Sequence, residues 1–281
     1  MLNSSFRRED YIRKKRERLF IKIGVFFLVL IMLIGIVSYV SHRKEIRISK
    51  VELYGGVLVR QSDIEAEILQ FLYGSYFWLF PKGNVFLYPK NSLENYLKEK
   101  FKRIDTIDIQ RKKFDSLSVK ITERKPEALW CDLPVPEMGT PEHCYFMDSN
   151  STIFVEAPYF SGDAYFKYYG LMSTSTTVIG REYMASSTQF SDISKFISDI
   201  RKLSVSPVYL LAKDNGEFTL VLSTGAEIYF DTKESLSKTS SNLNALLSSD
   251  VFPTSSDPTI NVDYIDLRFG NKLFYRLKTA N

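Results

Sequence analysis

The sequence predicts a single-pass membrane protein whose larger part, on the far side of the membrane, has a mixed α+β fold. Residues 23–40 contain no charged side chain, and a helix of that length covers about 27 Å, close to the thickness of a bilayer's hydrocarbon core. The remainder is long enough for two domains. The chain is 44% hydrophobic and 25% charged, a globular composition. Stretches of period two and of helical period follow one another beyond residue 46, which indicates strands mixed with helices.

A membrane span explains residues 23–40 better than the two alternatives. A cleaved signal peptide has a shorter apolar core and ends at small residues, which Ser38-Tyr39-Val40-Ser41 does not provide. A helix buried in a protein core would not carry Arg18 and Lys22 before it and Arg43 and Lys44 after it. We therefore predict a transmembrane helix over residues 23–40.

The charges beside this helix predict its orientation. Residues 1–22 contain eight Lys or Arg side chains against three acidic ones, and such an excess favours the cytoplasmic side. We expect this basic tail to be disordered or to lie on the membrane surface. A nucleic-acid partner could also use these charges, but contact with lipid headgroups explains them more simply, so we expect no nucleic-acid binding.

Residues 46–124 are predicted to form a first domain with the order strand, helix, helix, strand, strand. Ser62 with Glu65 and Asn91 with Glu94 each form a capping-box pattern, which is typical of a helix start. The predicted elements are strands at 47–54, 104–109 and 117–121, and helices that follow Ser62 and Asn91.

An aromatic stretch over residues 75–88 interrupts this domain. It could be a platform for a ligand, or its rings could fold over the core of a small domain. No convergent polar groups accompany the rings, so we favour the core.

Two cysteines, Cys131 and Cys144, are candidates for a disulfide, which is permitted outside the cytoplasm. The twelve residues between them include three prolines and one glycine, as in a loop closed by a bridge. His143 could join the cysteines in a metal cluster, but a fourth ligand with the usual spacing is missing, so we expect no metal.

Residues 125–281 are predicted to form a second, β-rich domain. A hairpin is expected around Ser149-Asn150-Ser151, with Asn150 in the left-handed conformation that Asn tolerates. Residues 160–177 give no clear assignment. The other predicted elements are an amphipathic helix at 189–203, strands at 208–211, 218–222 and 227–230, a helix after Asp231, and a final hairpin of strands 260–269 and 273–277 around Gly270-Asn271.

Three features of this sequence resemble the FtsQ/DivIB family of cell-division proteins. The predicted strand-helix-helix-strand-strand unit directly after a membrane helix looks like a POTRA domain. Residues 123–130, Glu-Arg-Lys-Pro-Glu-Ala-Leu-Trp, resemble the family's "ERxPxAxW" junction between that domain and a β-rich domain. Residues 263–269 resemble its C-terminal "(V/I)DLR(F/Y)" strand. One departure is Asn150, because the family usually has Asp followed by Gly in that turn.

The resemblance implies a scaffold at the division septum, anchored in the cell membrane, that binds FtsB/FtsL-like coiled-coil partners through its C-terminal strands. The implied partner-binding residues are Tyr264, Asp266, Arg268, Phe269, Asn271 and Phe274. The alternative for this strand is purely structural, with Ile265, Leu267 and Phe269 in the core and Arg268 in solvent. We expect the aliphatic residues to lie in the core, and we leave both interpretations open for Arg268 and Phe269.

We find no catalytic set in the sequence and expect no enzymatic activity, cofactor or small-molecule substrate. Two histidines leave little for nucleophilic catalysis, and no phosphate-binding glycine loop follows a strand. Asp263 and Asp266 are three residues apart on a strand, which places them on opposite faces. Two other classes remain as alternatives: a POTRA-bearing protein of outer-membrane assembly or secretion, and a membrane-anchored wall-processing enzyme.

Overall fold

The computed structural model describes residues 4–133, 135, 142–160, 164–172, 177–252 and 257–278, with only the backbone described for residues 4–12 and 14. The chain divides into two compact units, one formed by residues 1–100 and 106–123 and the other by residues 101–105 and 124–281. The helices are α1 (Ser4–Ser41), α2 (Gln61–Phe71), α3 (Lys90–Lys100), α4 (Ser187–Arg201) and α5 (Leu236–Leu247). The strands are β1 (Lys50–Tyr54), β2 (Ser75–Tyr76), β3 (Phe80–Pro81), β4 (Ile104–Arg111), β5 (Ser116–Glu123), β6 (Ala128–Cys131), β7 (Cys144–Met147), β8 (Ile153–Glu156), β9 (Lys167–Gly170), β10 (Pro207–Ala212), β11 (Glu217–Leu222), β12 (Glu227–Asp231), β13 (Val262–Phe269) and β14 (Lys272–Leu277).

Helix α1 contains the predicted membrane segment and extends well beyond it. Its residues Lys15–Ser41 are long and apolar enough to cross a membrane, and the apolar part is not buried in the protein. The basic tail, for which we expected disorder or a position on the membrane surface, is helical from Ser4 onward. Arg, Lys and Glu favour helices, and Arg13 and Glu17 form an i, i+4 pair. The basic tail and the candidate membrane span are therefore one continuous helix.

The first unit packs α2 and α3 beside a three-stranded sheet with the strand order β1-β5-β4. Strands β1 and β5 run parallel, with Val51 opposite Leu117 and Leu53 opposite Val119. Apolar residues from the helices and the sheet form its core. Fully or nearly fully buried are Val51, Ile64, Ile68, Leu93, Leu97, Ile109, Leu117, Val119 and Ile121.

Neither predicted capping box forms. Helix α2 begins at Gln61, its N-cap Arg60 makes no side-chain cap bond, and Ser62 donates to Asp63 instead. Helix α3 begins at Lys90, and Glu94 accepts a hydrogen bond of 2.8 Å from the Ile109 amide. Glu94 thus holds β4 beside α3, a tertiary contact that competes with the local cap.

The expectation that the aromatic rings fold over the core is wrong for three of the six rings, which are exposed. Strands β2 and β3 form a short hairpin with a three-residue loop at 77–79, in which Phe77 and Trp78 are 88% and 93% exposed. Phe86 is 54% exposed as well, while Val85 is buried. The rings of Phe77 and Trp78 therefore lie in solvent at the tip of this hairpin.

The second unit contains a nine-stranded mixed sheet with the strand order β14-β13-β12-β11-β10-β9-β6-β7-β8. Helices α4 and α5 contribute buried side chains to its main core, in which Trp130, Phe196, Leu220, Phe230 and Leu243 are almost completely inaccessible. Strand β9 lies in the region without a sequence assignment, and it pairs in parallel with both β6 and β10. This strand joins the two halves of the sheet.

The β7–β8 turn differs from the prediction in one residue. Ser151, not Asn150, takes the left-handed conformation, with φ of 65°. Asp148 is the reason: one of its carboxylate oxygens accepts hydrogen bonds from the amides of Asn150 and Thr152. This bonding fixes the turn before Ser151.

Glu123 and Arg124 do not form the exposed ion pair that adjacent opposite charges suggest. Glu123 Oε1 accepts hydrogen bonds from the amides of Val57, Leu58 and Val59 at 2.7, 2.9 and 2.9 Å. These three amides lie in the loop between β1 and α2, and a carboxylate that binds several amides is a strong acceptor. Glu123 therefore fixes this loop within the first unit.

Arg124 bonds within the second unit. Its guanidinium pairs with Asp148, whose side chain is only 7% exposed, and lies 3.3 Å from Asp105. Its backbone amide donates to the Arg103 carbonyl oxygen at 2.8 Å. The Glu-Arg dipeptide thus supplies one structural tie to each unit.

We predict that Glu123→Ala destabilises the first unit by about 2 kcal/mol, because three amide donors lose a charged acceptor. Hydrogen exchange of the full chain in detergent should show faster exchange over residues 57–59. Glu127→Ala is the matched control, since Glu127 is exposed at the same junction and should leave exchange there unchanged. Equal protection in wild type and Glu123→Ala would contradict this role.

Candidate interaction surface

The hairpin of β13 and β14 forms one end of the nine-stranded sheet. Strand β13 pairs in parallel with β12 and antiparallel with β14, which has no other strand beside it in the described part of the chain. A terminal strand exposes alternate amide and carbonyl groups along its outer side. The second unit therefore presents a strand edge near its C-terminus.

The opposite end of the sheet is covered at the start of its terminal strand, β8. The segment around residues 180–183 bonds to β8 and the turn before it, with Gly180 donating to the Ile153 carbonyl oxygen at 2.6 Å. Ile153 donates to the Arg181 carbonyl oxygen, and Tyr183 donates to that of Ser151. The chain itself thus covers the start of the β8 edge and leaves β14 open.

Apolar side chains accompany the open edge. Phe269, Phe274, Tyr275 and Leu277 are 55%, 50%, 40% and 44% exposed. Phe269 and Phe274 lie edge to face, with ring centroids 5.2 Å apart. Exposed aromatic residues beside unpaired backbone groups are a combination that favours protein binding.

Arg268 is held by the sheet itself and is not free in solvent. Its guanidinium donates two hydrogen bonds to Asp266, of 2.9 and 2.6 Å, and forms an ion pair of 2.8 Å with Glu217 on β11. It also lies over the ring of Tyr229 at 5.5 Å. The bidentate geometry orients Arg268 across the face of three neighbouring strands.

Asp266 is the buried half of this pair. Burial alone raises its pKa, but hydrogen bonds from the Arg268 side chain and amide, together with the positive charge, outweigh that effect. The pKa of Asp266 therefore lies below its usual value. On the same face, burial and a hydrogen bond to Glu227 raise the pKa of Tyr229 to about 12.

Tyr264 belongs to a second, more exposed group. Its ring lies 5.8 Å from that of Tyr229, and the guanidinium of Arg276 stacks over it at 5.0 Å. Arg276 also forms an ion pair with Asp263 across the hairpin. This group ties β14 to β13 through side chains as well as backbone.

The tight turn of the hairpin is built from Gly270 and Asn271. Gly270 has φ of 65°, which favours glycine, and its carbonyl oxygen accepts a hydrogen bond of 3.1 Å from Asn242 on α5. The tip of the hairpin is thereby fixed to the helix layer. Asn271, one of the candidate residues, lies at this tip.

All six candidate residues lie in one hairpin, but they differ in exposure and in their contacts. Phe269 and Phe274 are exposed together, whereas Asp266 and Arg268 bond to each other inside the sheet face. Ile265 and Leu267 are buried in the core. Tyr275 and Leu277 are not among the six named candidates, although they lie in the C-terminal strands to which the resemblance assigns partner binding.

Cys131 and Cys144 face each other on β6 and β7, and their sulfur atoms are bonded at 2.03 Å. The carboxylate of Glu142 lies close enough to the two sulfur atoms for the three side chains to resemble a metal site. This carboxylate instead pairs with Lys167 and accepts a hydrogen bond of 2.5 Å from Tyr169. The disulfide occupies both sulfurs. His143 is instead 3.9 Å from Glu156 on the surface.

Comparisons with known proteins assign no family. A scan against models of protein families finds no match, and a search of curated proteins finds no significant similarity.

We predict that Asp266→Asn lowers the free energy of unfolding by about 2 kcal/mol at pH 7, because Arg268 loses its charged partner. A carboxyl group with a lowered pKa in the folded protein stabilises it fully above its unfolded value of about 4, and this contribution disappears as the pH falls through the folded value. The difference in free energy of unfolding between wild type and Asp266→Asn, measured by urea unfolding, should therefore be smaller at pH 3 than at pH 7.

Asp263→Asn is the matched control for this prediction. Asp263 pairs with Arg276 at the surface, where such a pair contributes under about 1 kcal/mol. A loss in Asp266→Asn no larger than that in Asp263→Asn would show that the Asp266–Arg268 pair does not support the sheet.

Proposed function

We propose that this protein is a non-enzymatic scaffold of the bacterial division machinery, with its N-terminus in the cytoplasm and both folded units outside. In this proposal it resembles the FtsQ/DivIB proteins and binds coiled-coil division proteins of the FtsB/FtsL type. Its place is in the cell membrane at the septum. The observation that carries the proposal is the open β14 edge with its exposed aromatic side chains.

The proposed binding mode is addition of a strand. An extended segment of the partner pairs with the backbone of β14, which supplies affinity for almost any sequence. Phe269 and Phe274 then select for apolar side chains in the partner, since both rings are half exposed on one hairpin. Arg268 acts as a support that fixes the strand's position, because its charge is already satisfied by Asp266 and Glu217.

The first unit supports the same assignment. Its order of strand, helix, helix, strand, strand follows directly after the membrane helix, with the short β2–β3 hairpin between the two helices. This is the arrangement that a POTRA domain would have. The Glu123-Arg124 dipeptide lies where the chain passes from one unit to the other, at the position of the family-like junction.

The orientation in this proposal is consistent with the charge bias and with the disulfide. The basic residues of α1 precede its apolar part, which favours a cytoplasmic N-terminus. A disulfide in the second unit suits an oxidising compartment outside the cytoplasm.

We predict that Phe269→Glu and Phe274→Glu each weaken capture of FtsB/FtsL-type partners at least tenfold, about 1.4 kcal/mol, because each adds a charge to an apolar contact. Co-purification from membranes with the full-length protein measures this. Tyr159→Glu is the matched control, since Tyr159 is 63% exposed in the same unit but outside the hairpin. Undiminished capture by both hairpin variants would remove this surface from the proposal.

We also predict that the bound partner slows hydrogen exchange over residues 272–277, because its backbone would pair with the outer side of β14. Exchange at the start of β8 should not change, because residues 180–183 already bond there. Protection at β8 without protection at β14 would contradict strand addition here.

Depletion of the protein separates a role in division from the two alternative classes. Loss of a division scaffold gives filamentous cells without septa, whereas loss of a secretion or outer-membrane assembly protein leaves septation intact. Normal division after depletion would contradict the proposal.

A further inference from the structure

The β2–β3 hairpin carries two large aromatic side chains with no core to enter. Phe77 and Trp78 are 88% and 93% exposed, and both have left-handed backbones, with φ of 48° and 61°. They are the two central residues of a β-turn that the Leu79 amide closes by donating to the Tyr76 carbonyl oxygen at 2.9 Å. Left-handed conformations at both central positions strongly favour Asn-Gly, since bulky residues are strained there. The chain thus places two rings in solvent at a position that would be more stable without them. Strain of this kind accompanies functional contacts.

Hydrogen bonds connect this hairpin to the end of α1. The Ser38 hydroxyl donates to the carbonyl oxygen of Leu79 at 2.7 Å, immediately after the turn. Asn84, which follows the hairpin, donates to the Ser41 hydroxyl at 2.9 Å and is buried. Ser38 belongs to the apolar part of α1, so the hairpin lies level with the last turns of the candidate membrane span.

Basic side chains lie near the hairpin and the end of α1. Arg43, Lys44 and Arg47 are exposed where the chain leaves α1, and Arg43 lies over the ring of Tyr39 at 5.6 Å. Lys82 lies 5.8 Å from the ring of Tyr76 within the hairpin. Aromatic rings at the depth of lipid headgroups, with cations just outside them, are the usual pattern of a membrane interface.

We propose that the Phe77–Trp78 turn is a second membrane contact, in which both rings enter the interfacial layer of the outer leaflet beside α1. Its ligand is the bilayer surface, with anionic headgroups bound by the neighbouring Arg and Lys side chains. A single helix leaves a domain free to rotate and tilt, whereas two attachment points fix the orientation of the first unit. The inference depends on α1 crossing a membrane and not on the proposed role in division.

Tryptophan fluorescence tests this directly, because the chain has only two tryptophans and Trp130 is fully buried. The full-length protein is placed in phosphatidylcholine vesicles that contain lipids with a nitroxide quencher at a shallow or a deep acyl position. We expect Trp78 to be quenched by the shallow label and less by the deep one. The Trp78→Phe variant gives the background from Trp130.

Two reporters in the Trp78→Phe background serve as controls. Val57, 86% exposed in the wild type, follows the end of β1, whereas the segment just before β1 bonds to Gly83 beside the hairpin. The Val57→Trp reporter should therefore be quenched less than Trp78. Phe26→Trp lies within the apolar part of α1 and should be quenched by the deep label. Quenching of Trp78 no greater than that of Val57→Trp, while Phe26→Trp is quenched, would overturn the proposal.

A double variant tests whether the two exposed rings lower the stability of the protein and contact the membrane. Phe77→Asn with Trp78→Gly supplies the residues that the turn favours, so the thermal midpoint in detergent should rise. In vesicles of mixed phosphatidylglycerol and phosphatidylcholine, the same variant should expose the hairpin region to faster hydrogen exchange than wild type. Unchanged exchange of this region would also overturn the proposal.

Discussion

The second unit depends on one constraint, which is that every strand in a sheet needs a partner on each side or a reason to lack one. Seven of the nine strands have a partner on each side, and residues 180–183 cover the start of β8. In the part of this sheet that the structure describes, β14 has no partner along its outer side. Its exposed rings and the fixed Gly270 turn make this edge stable without covering it, which is the property that a strand-adding partner needs.

The sequence predicts those elements whose contacts are local. The membrane helix, α4 and the β10–β12 meander were predictable because periodicity and short turns determine them. Strand β9 was not, because its partners β6 and β10 are distant in the chain and parallel pairing leaves no hairpin signal. The capping boxes failed because Glu94 bonds to the next strand, and the aromatic stretch failed because composition does not reveal which side of a turn faces the core.

The candidate surface was predictable in part for similar reasons. Phe269 and Phe274 flank a Gly-Asn turn, so their proximity follows from a hairpin. The role of Arg268 did not follow, because Glu217 lies on β11, two strands away in the sheet. An arginine in such a strand could equally have contacted a partner. The same limit applies to Glu123, whose three amide donors come from a loop that sequence places far from it.

The disulfide between β6 and β7 affects more than the stability of two short strands. Every peptide bond from residue 131 to residue 144 lies inside a covalent ring closed by those sulfurs. A protease that cuts there produces a nicked protein, not a shortened one, since both pieces stay attached to the same sheet. Helix α1 precedes this ring and the β14 edge follows it. The candidate membrane helix and the proposed binding strand therefore remain one molecule after such a cut, for as long as the surroundings stay oxidising.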